Sequence, residues 1–247
     1  MKRALISFVL WTVCIVFACA VSKESADKLY SEKKYKQAAS QYEQLLKEGE
    51  NAFLYYNLGN AYYRMHDIAH AVLNYERAAL RDPGNSDIRF NLALARSKTQ
   101  DRIVDTDQFF ILYWCHSLVN AHHADGWARL ALGVFFLFLV CVLIARFVDK
   151  PLVRRLCPYL LILLFVMVVV FNIFAVVQHK QLLDKTRAIM MKTTPIRSTP
   201  DNSGNTLFTL HPGTKVKVTD DSMGKWKEIS LPDGKKGWVS YTSIELI

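Results

Sequence analysis

The sequence predicts a multidomain membrane protein: an α-helical solenoid, then a two-helix transmembrane hairpin, then a small all-β barrel. Three observations predict it. Residues 22–98 place apolar side chains at helical spacing, with Pro83 their one proline and glycine at 49, 59 and 84 alone. Two long apolar runs follow, Leu130–Val148, apolar except for Arg146 near its end, and Leu156–Gln178, which carries no formal charge. After Ala188, turn signals separate short alternating strands at intervals of about ten residues.

The chain opens on Lys2 and Arg3, an apolar run 4–20, and Ala18-Cys19-Ala20. That is the pattern of a secretory signal cleaved after Ala20. Val16-Phe17-Ala18-Cys19 is a poor lipoprotein box, because Phe17 is bulky where a small residue is expected.

In the first exported part, Ala38-x3-Tyr42 and Ala71-x3-Tyr75 lie 33 positions apart, the spacing of a repeat of paired helices. The second unit is dense: Leu58-Gly59, Tyr62, Ala71, Tyr75, Ala78, then Asp82-Pro83-Gly84-Asn85. It resembles the tetratricopeptide repeat (TPR) over 52–85. Gly59 and Ala71 are small where two helices cross, Tyr62 and Tyr75 fill the space beside them, and Pro83 stops the second helix. Residues 22–51 resemble a first repeat less closely, with Ser25-Ala26 in place of Leu-Gly. Residues 86–98 form one further helix, a cap, with Ser86 as the expected N-cap. Tyr55, Leu58, Gly59 and Tyr62 then face the core, while Tyr56, Asn60, Tyr63 and Arg64 fall on the other face. With Lys23, Asp27, Tyr30 and Ser31 of the first repeat and Phe90 of the cap they form a groove suited to an extended peptide or a partner helix. The same residue types also make an ordinary solvated face.

Each apolar run is long enough to cross a bilayer. Arg146, Lys150, Arg154 and Arg155 surround the short turn between them and place it in the cytoplasm, with both flanking parts outside. In the connector, Phe110, Trp114 and Leu118 share a helical face, and Trp114 and Trp127 suit a membrane–water interface. His122-His123-Ala124-Asp125 and the pair His66/His70 carry histidines without a full ligand set, so neither is read as a metal or catalytic site.

From 188 onward the order is Ile196-Arg197-Ser198-x-Pro200, Leu210-x-x-Gly213, Val216-x-Val218, Trp226-x-x-Ile229 and Gly234-x-x-Gly237-Trp238-Val239, with Asp233-Gly234 a hairpin turn. This resembles the bacterial SH3-like domain, with Thr194-Pro195 a departure before the Ile-Arg-Ser triplet. The resemblance implies a module that binds cell-wall peptides or proteins, with Trp238 and Tyr241 as the expected rim.

The divisions are a signal peptide 1–20, TPR domain 21–100, interfacial connector helix 101–129, first span 130–148, cytoplasmic loop 149–155, second span 156–178, linker 179–187 and SH3-like domain 188–247. The net charge of +9 is spread out: residues 23–100 hold 12 basic and 10 acidic side chains, and 180–247 hold 11 and 7. With no basic stripe, nucleic-acid binding is rejected. None of the five cysteines lies in either exported module, so neither a disulfide framework nor a zinc site is expected there. The sequence carries no Gly-rich phosphate loop and no nucleophile elbow, and the expectation is a binding protein with no enzyme activity and no cofactor.

Taken together, the order resembles the BatE family of Bacteroides aerotolerance operon proteins. The resemblance implies an inner-membrane protein with both modules in the periplasm. It also implies partners encoded beside it, namely membrane-anchored von Willebrand A-type and TPR proteins and a MoxR-type ATPase, and a role in oxygen tolerance or envelope stress. A cell-envelope anchor that grips peptidoglycan through the SH3-like domain is the alternative.

Overall fold

The computed structural model describes residues 22–101, 110–148 and 150–247. The expected signal segment, its cleavage site and Cys19 lie outside them. Five helices come first: α1 Lys23–Ser31, α2 Tyr35–Glu48, α3 Ala52–Arg64, α4 Ile68–Arg81 and α5 Ser86–Arg96. They pack in sequence, each against the next. Four starts are capped by side chains: Ser22, Asn51, Asp67 and Asn85 accept backbone N–H groups of the first turn. The α5 cap is therefore Asn85 and not Ser86. The Asn85 amide oxygen reaches two N–H groups, of Asp87 and Ile88, so the helix begins one residue earlier than the serine implied.

The turn inside each helix pair has one residue in the left-handed region, Lys33 and His66, both at φ 62°. They stand 33 positions apart, so the backbone repeats with the period of the sequence. At the crossing of α3 and α4, a Cβ on Gly59 would lie 2.7 Å from the Tyr75 ring. The core between the first three helices is Ala26, Ala38, Tyr42, Leu54, Leu58 and Ala61, all buried.

Next come α6 Phe110–Val119, α7 Ala124–Phe147 and α8 Pro151–Leu183. Both α7 and α8 are long and apolar enough to cross a membrane. Most of their apolar side chains, Phe136, Leu143, Ile162 and Phe165 among them, are exposed, which a soluble core helix would not leave so. The connector is not one surface helix. α6 stops at Val119, and the segment holding Trp127 is already the first turn of α7. Trp127 is buried, with Nε1–H donating to the Val119 carbonyl (2.9 Å) and its ring against Phe171 and Phe174 of α8. Gln178, also buried, donates to the same carbonyl (3.0 Å) and to Asn120 Oδ1 (2.7 Å). Trp114, by contrast, is exposed.

α8 runs past the expected span and ends three residues before the first strand. Asp184 Oδ1 accepts the Thr186 N–H and hydroxyl, and Arg187 donates to the Gln181 carbonyl (2.6 Å), which braces this joint.

Seven strands complete the chain: β1 Arg187–Met190, β2 Thr194–Arg197, β3 Thr206–Leu210, β4 Lys215–Asp220, β5 Trp226–Ser230, β6 Lys236–Ser240 and β7 Ile244–Leu246. They form one antiparallel sheet in the order β3-β2-β6-β5-β4-β1-β7. All seven contribute to one core around Met190, Ile196, Val216, Ile229 and Val239. Pro195 lies opposite Thr209 of β3 and has no register partner in β6, which β2 meets at Arg197 alone, so its missing N–H costs no ladder bond to β6. Gly234, at φ 86°, closes the β5–β6 hairpin. Gly237 is needed for a different reason: a Cβ there would lie 2.5 Å from Ile196 and 2.9 Å from the Arg197 carbonyl.

Candidate functional site

The expected groove on α1, α3 and α5 divides into residues bonded to one another and residues left open. Asp27 accepts from the Tyr42 hydroxyl (2.6 Å) and Asn57 (3.4 Å). Asn60 accepts from the Tyr75 hydroxyl (2.7 Å) and Asn91 (3.2 Å), and Asn91 donates also to the Tyr56 hydroxyl (2.8 Å). Tyr56 and Tyr63 pack on the cluster around Tyr75. Asp27, Tyr56 and Asn60 thus tie helix to helix, and their types on the sequence did not reveal it. The open residues are Lys23, whose Nζ lies 3.9 Å from the Phe53 ring centre, Arg64, exposed and hydrogen-bonded to Tyr30, and Phe90, 68% exposed; Tyr30 itself is half-buried on the first core cluster and edge-on to Tyr35. A cleft of about 760 Å³ lies among Lys23, Phe53, Tyr56, Asn85 and Ile88. Its aromatic walls and amides fit a peptide-sized ligand.

On the sheet, Gly237 and Val239 point into the core, so Trp238 stands on the opposite face, half-buried, in register with Glu228 and Arg197. Tyr241 follows in a single 3₁₀ turn and is 52% exposed. Trp238 is the middle residue of β6, and Tyr241 comes directly after the strand's last residue.

The sequence reading missed the contact between the modules. β1 lies against α4, and Ile189, fully buried, enters the cluster of Val72, Tyr75 and Leu92, with Met191 and Ile247 beside it. Glu76 of α4 is 4% exposed and sits between Arg96 of α5 and Lys215 of β4 (2.8 Å). Burial alone would raise its carboxyl, but Lys215 and then Arg96 outweigh it and hold the group below its usual range. Arg77 donates to the Leu246 carbonyl (2.6 Å) and Glu245 (3.1 Å). Asp101 accepts the His211 N–H and the Thr214 hydroxyl, both at 2.7 Å, and faces His211 Nδ1 at 2.7 Å. Burial works against the Asp101 charge too, and these donors win, so its carboxyl lies low. Gly213, at φ 89°, fits under Thr99, where a Cβ would come within 2.7 Å. The packing of α4 reflects this contact: Val72-Leu73-Asn74-Tyr75-Glu76 are all buried, so no face of that stretch is left for water, although Asn74 and Glu76 gave no sign of it as residue types.

Residues 52–85 match the tetratricopeptide repeat, and residues 192–245 match the bacterial SH3 domain. No match was found among curated proteins. The TPR match spans α3, α4 and the turn after them, and the SH3 match begins after β1. The strand that docks on the repeats is therefore outside the part of the SH3 domain that its family model describes.

As for histidines, His70 faces Asp67 (2.8 Å) and stacks on Tyr62, while His122 lies edge-on to Trp127. Among the described residues no group of three or more His, Cys, Asp or Glu could hold a metal ion.

Proposed function

We propose that this chain is a non-enzymatic inner-membrane scaffold whose TPR and SH3 modules act together in the periplasm as one binding unit. In this reading the repeats form a two-repeat solenoid with a capping helix, and the SH3 strands close into a barrel. α7 and α8 form the hairpin, with Arg146, Lys150, Arg154 and Arg155 on the cytoplasmic side. The observation that carries it is the docking of β1 on α4. It uses the second helix of the repeat and leaves Phe90, Arg64 and Phe53 exposed toward a ligand. Fixing two ligand faces on one anchor raises the effective concentration of one partner near the other. The order of modules resembles the BatE family, and on that ground the partners are membrane-anchored von Willebrand A-type and TPR proteins, in a complex serving aerotolerance or envelope stress.

A crosslinking pull-down from membranes tests it, comparing the native chain with Phe90→Ala/Arg64→Ala, both exposed positions. Loss of specific membrane proteins from the variant alone supports the scaffold. Unchanged partners move the working surface elsewhere. The half-buried Trp238 on the outer face of β6 and the exposed Tyr241 after it favour a second reading, in which the SH3 module anchors the protein to peptidoglycan. Co-sedimentation with purified cell wall, reduced by Tyr241→Ala, is its test.

A further inference from the structure

A second cleft, of about 720 Å³, opens on the other side of α3 from the groove. Glu43 of α2, Tyr55 and Tyr62 of α3, Asn74 and Arg77 of α4, and Glu245 of β7 line it. It is incomplete without the sheet, because Glu245 comes from the last strand.

We propose that this cleft binds a primary ammonium group on an aliphatic chain, of the kind a lysine side chain of a partner peptide presents. Two independent features point to a cation. The first is charge: Glu43, Glu48, Glu50 and Glu245 line the cleft against Lys47 and Arg77. Arg77 is committed to Glu245 and the Leu246 carbonyl, Glu50 to Arg81 and the Tyr55 hydroxyl, and Glu43 to the Tyr62 hydroxyl, and each carboxylate keeps further acceptor capacity for a cation. The second is an orphan. Asn74 is 3% exposed and spends its Nδ2 on the His70 carbonyl (2.8 Å), which leaves Oδ1 buried with no hydrogen-bond partner among the described residues. Buried acceptors are nearly always satisfied, so this one calls for a donor. An ammonium supplies three N–H donors and no acceptor. Leu46, Leu58 and Leu73 of the same lining accept the alkyl chain. A metal ion fits less well, since the described carboxylates do not cluster closely enough to share one.

The assignment does not depend on the groove described above. Its test is titration of the full chain in detergent micelles with 1,5-diaminopentane, following backbone amide signals of α3 and α4 by NMR, with 1-pentanol as the neutral control. Saturable shifts with the diamine and none with pentanol are expected. Asn74→Leu should weaken binding about tenfold, as loss of a hydrogen bond to a charged group does, and Glu245→Gln severalfold, while Phe90→Ala leaves it unchanged. Absence of saturable shifts, or equal affinity in the native chain and Glu245→Gln, overturns the proposal. Should Asn74→Leu fail to fold, Glu245→Gln and Glu43→Gln decide it.

Discussion

Glu76 of the second helical repeat and Lys215 of the sheet lie 2.8 Å apart across 139 positions of chain. Arg96 meets the same carboxylate from its other side. Replacing Glu76 by alanine leaves two half-exposed cations facing each other, and loss of one member of a fully buried pair costs about 3–5 kcal/mol. Lys215 and Arg96 retain some water contact, so the lower end applies. Urea unfolding of Glu76→Ala against the native chain checks it. An unchanged midpoint would show that the modules do not depend on this contact.

The same contact sets an acid limit. The Glu76 and Asp101 carboxyls titrate below their ordinary values of 4.5 and 3.8. Each is therefore protonated more readily in the unfolded chain than in the folded one. Their stabilisation is complete above about pH 5 and drains away as the pH falls through the folded values. Hydrogen exchange of β1 and α4 amides should be flat from pH 7 to 5, after correction for the intrinsic rate, and should rise below about pH 4. Glu76→Gln/Asp101→Asn should flatten that rise.

Gly59 faces a ring that cannot retreat, because the Tyr75 hydroxyl is held by Asn60. Gly59→Ala should destabilise the repeats by roughly 1–3 kcal/mol, the usual cost of overpacking. A thermal melt followed by circular dichroism reads it. No loss would mean that the helices part easily at this crossing.

His66 presents the opposite case. Its left-handed backbone costs a side chain about 1–2 kcal/mol, part of which glycine returns as a more flexible unfolded chain. His66→Gly should raise stability by about 0.5 kcal/mol, measured by the same melt. A fall would assign the imidazole a contact that outweighs the strain.

Within the groove, Asn60→Ala should cost about 1–2 kcal/mol, since it orphans the Tyr75 hydroxyl and leaves Asn91 with the Tyr56 hydroxyl alone. Phe90→Ala should cost almost nothing, because that ring is mostly in water. Paired unfolding curves separate the two. Equal losses would contradict the division into tying and open residues.

The local layers of this protein were legible because their physics is local. Gly59 against Tyr75, the 33-residue period, the hairpin at Asp233-Gly234 and the two apolar helices each follow from spacing along the chain. The packing of Trp127 was not legible because a tryptophan beside a long apolar helix fits lipid headgroups and a helix packing seam equally well on paper. Only the positions of Val119 and Phe174 choose between them. Tyr56 and Asn60 looked free because their partners, Asn91 and Tyr75, lie a helix away. The docking of the sheet could not be read at all. Glu76 and Lys215 are ordinary surface residue types until long-range folding brings them together.

The short braced joint at Asp184–Thr186 bears on how force would travel through this molecule. α8 is about 50 Å long at 1.5 Å per residue, and it hands over to β1 with no slack. β1 in turn is wedged into the repeats through Ile189. A turn or tilt of that one rod is therefore not absorbed on the way. It swings both modules together, as a handle turns the head of a tool.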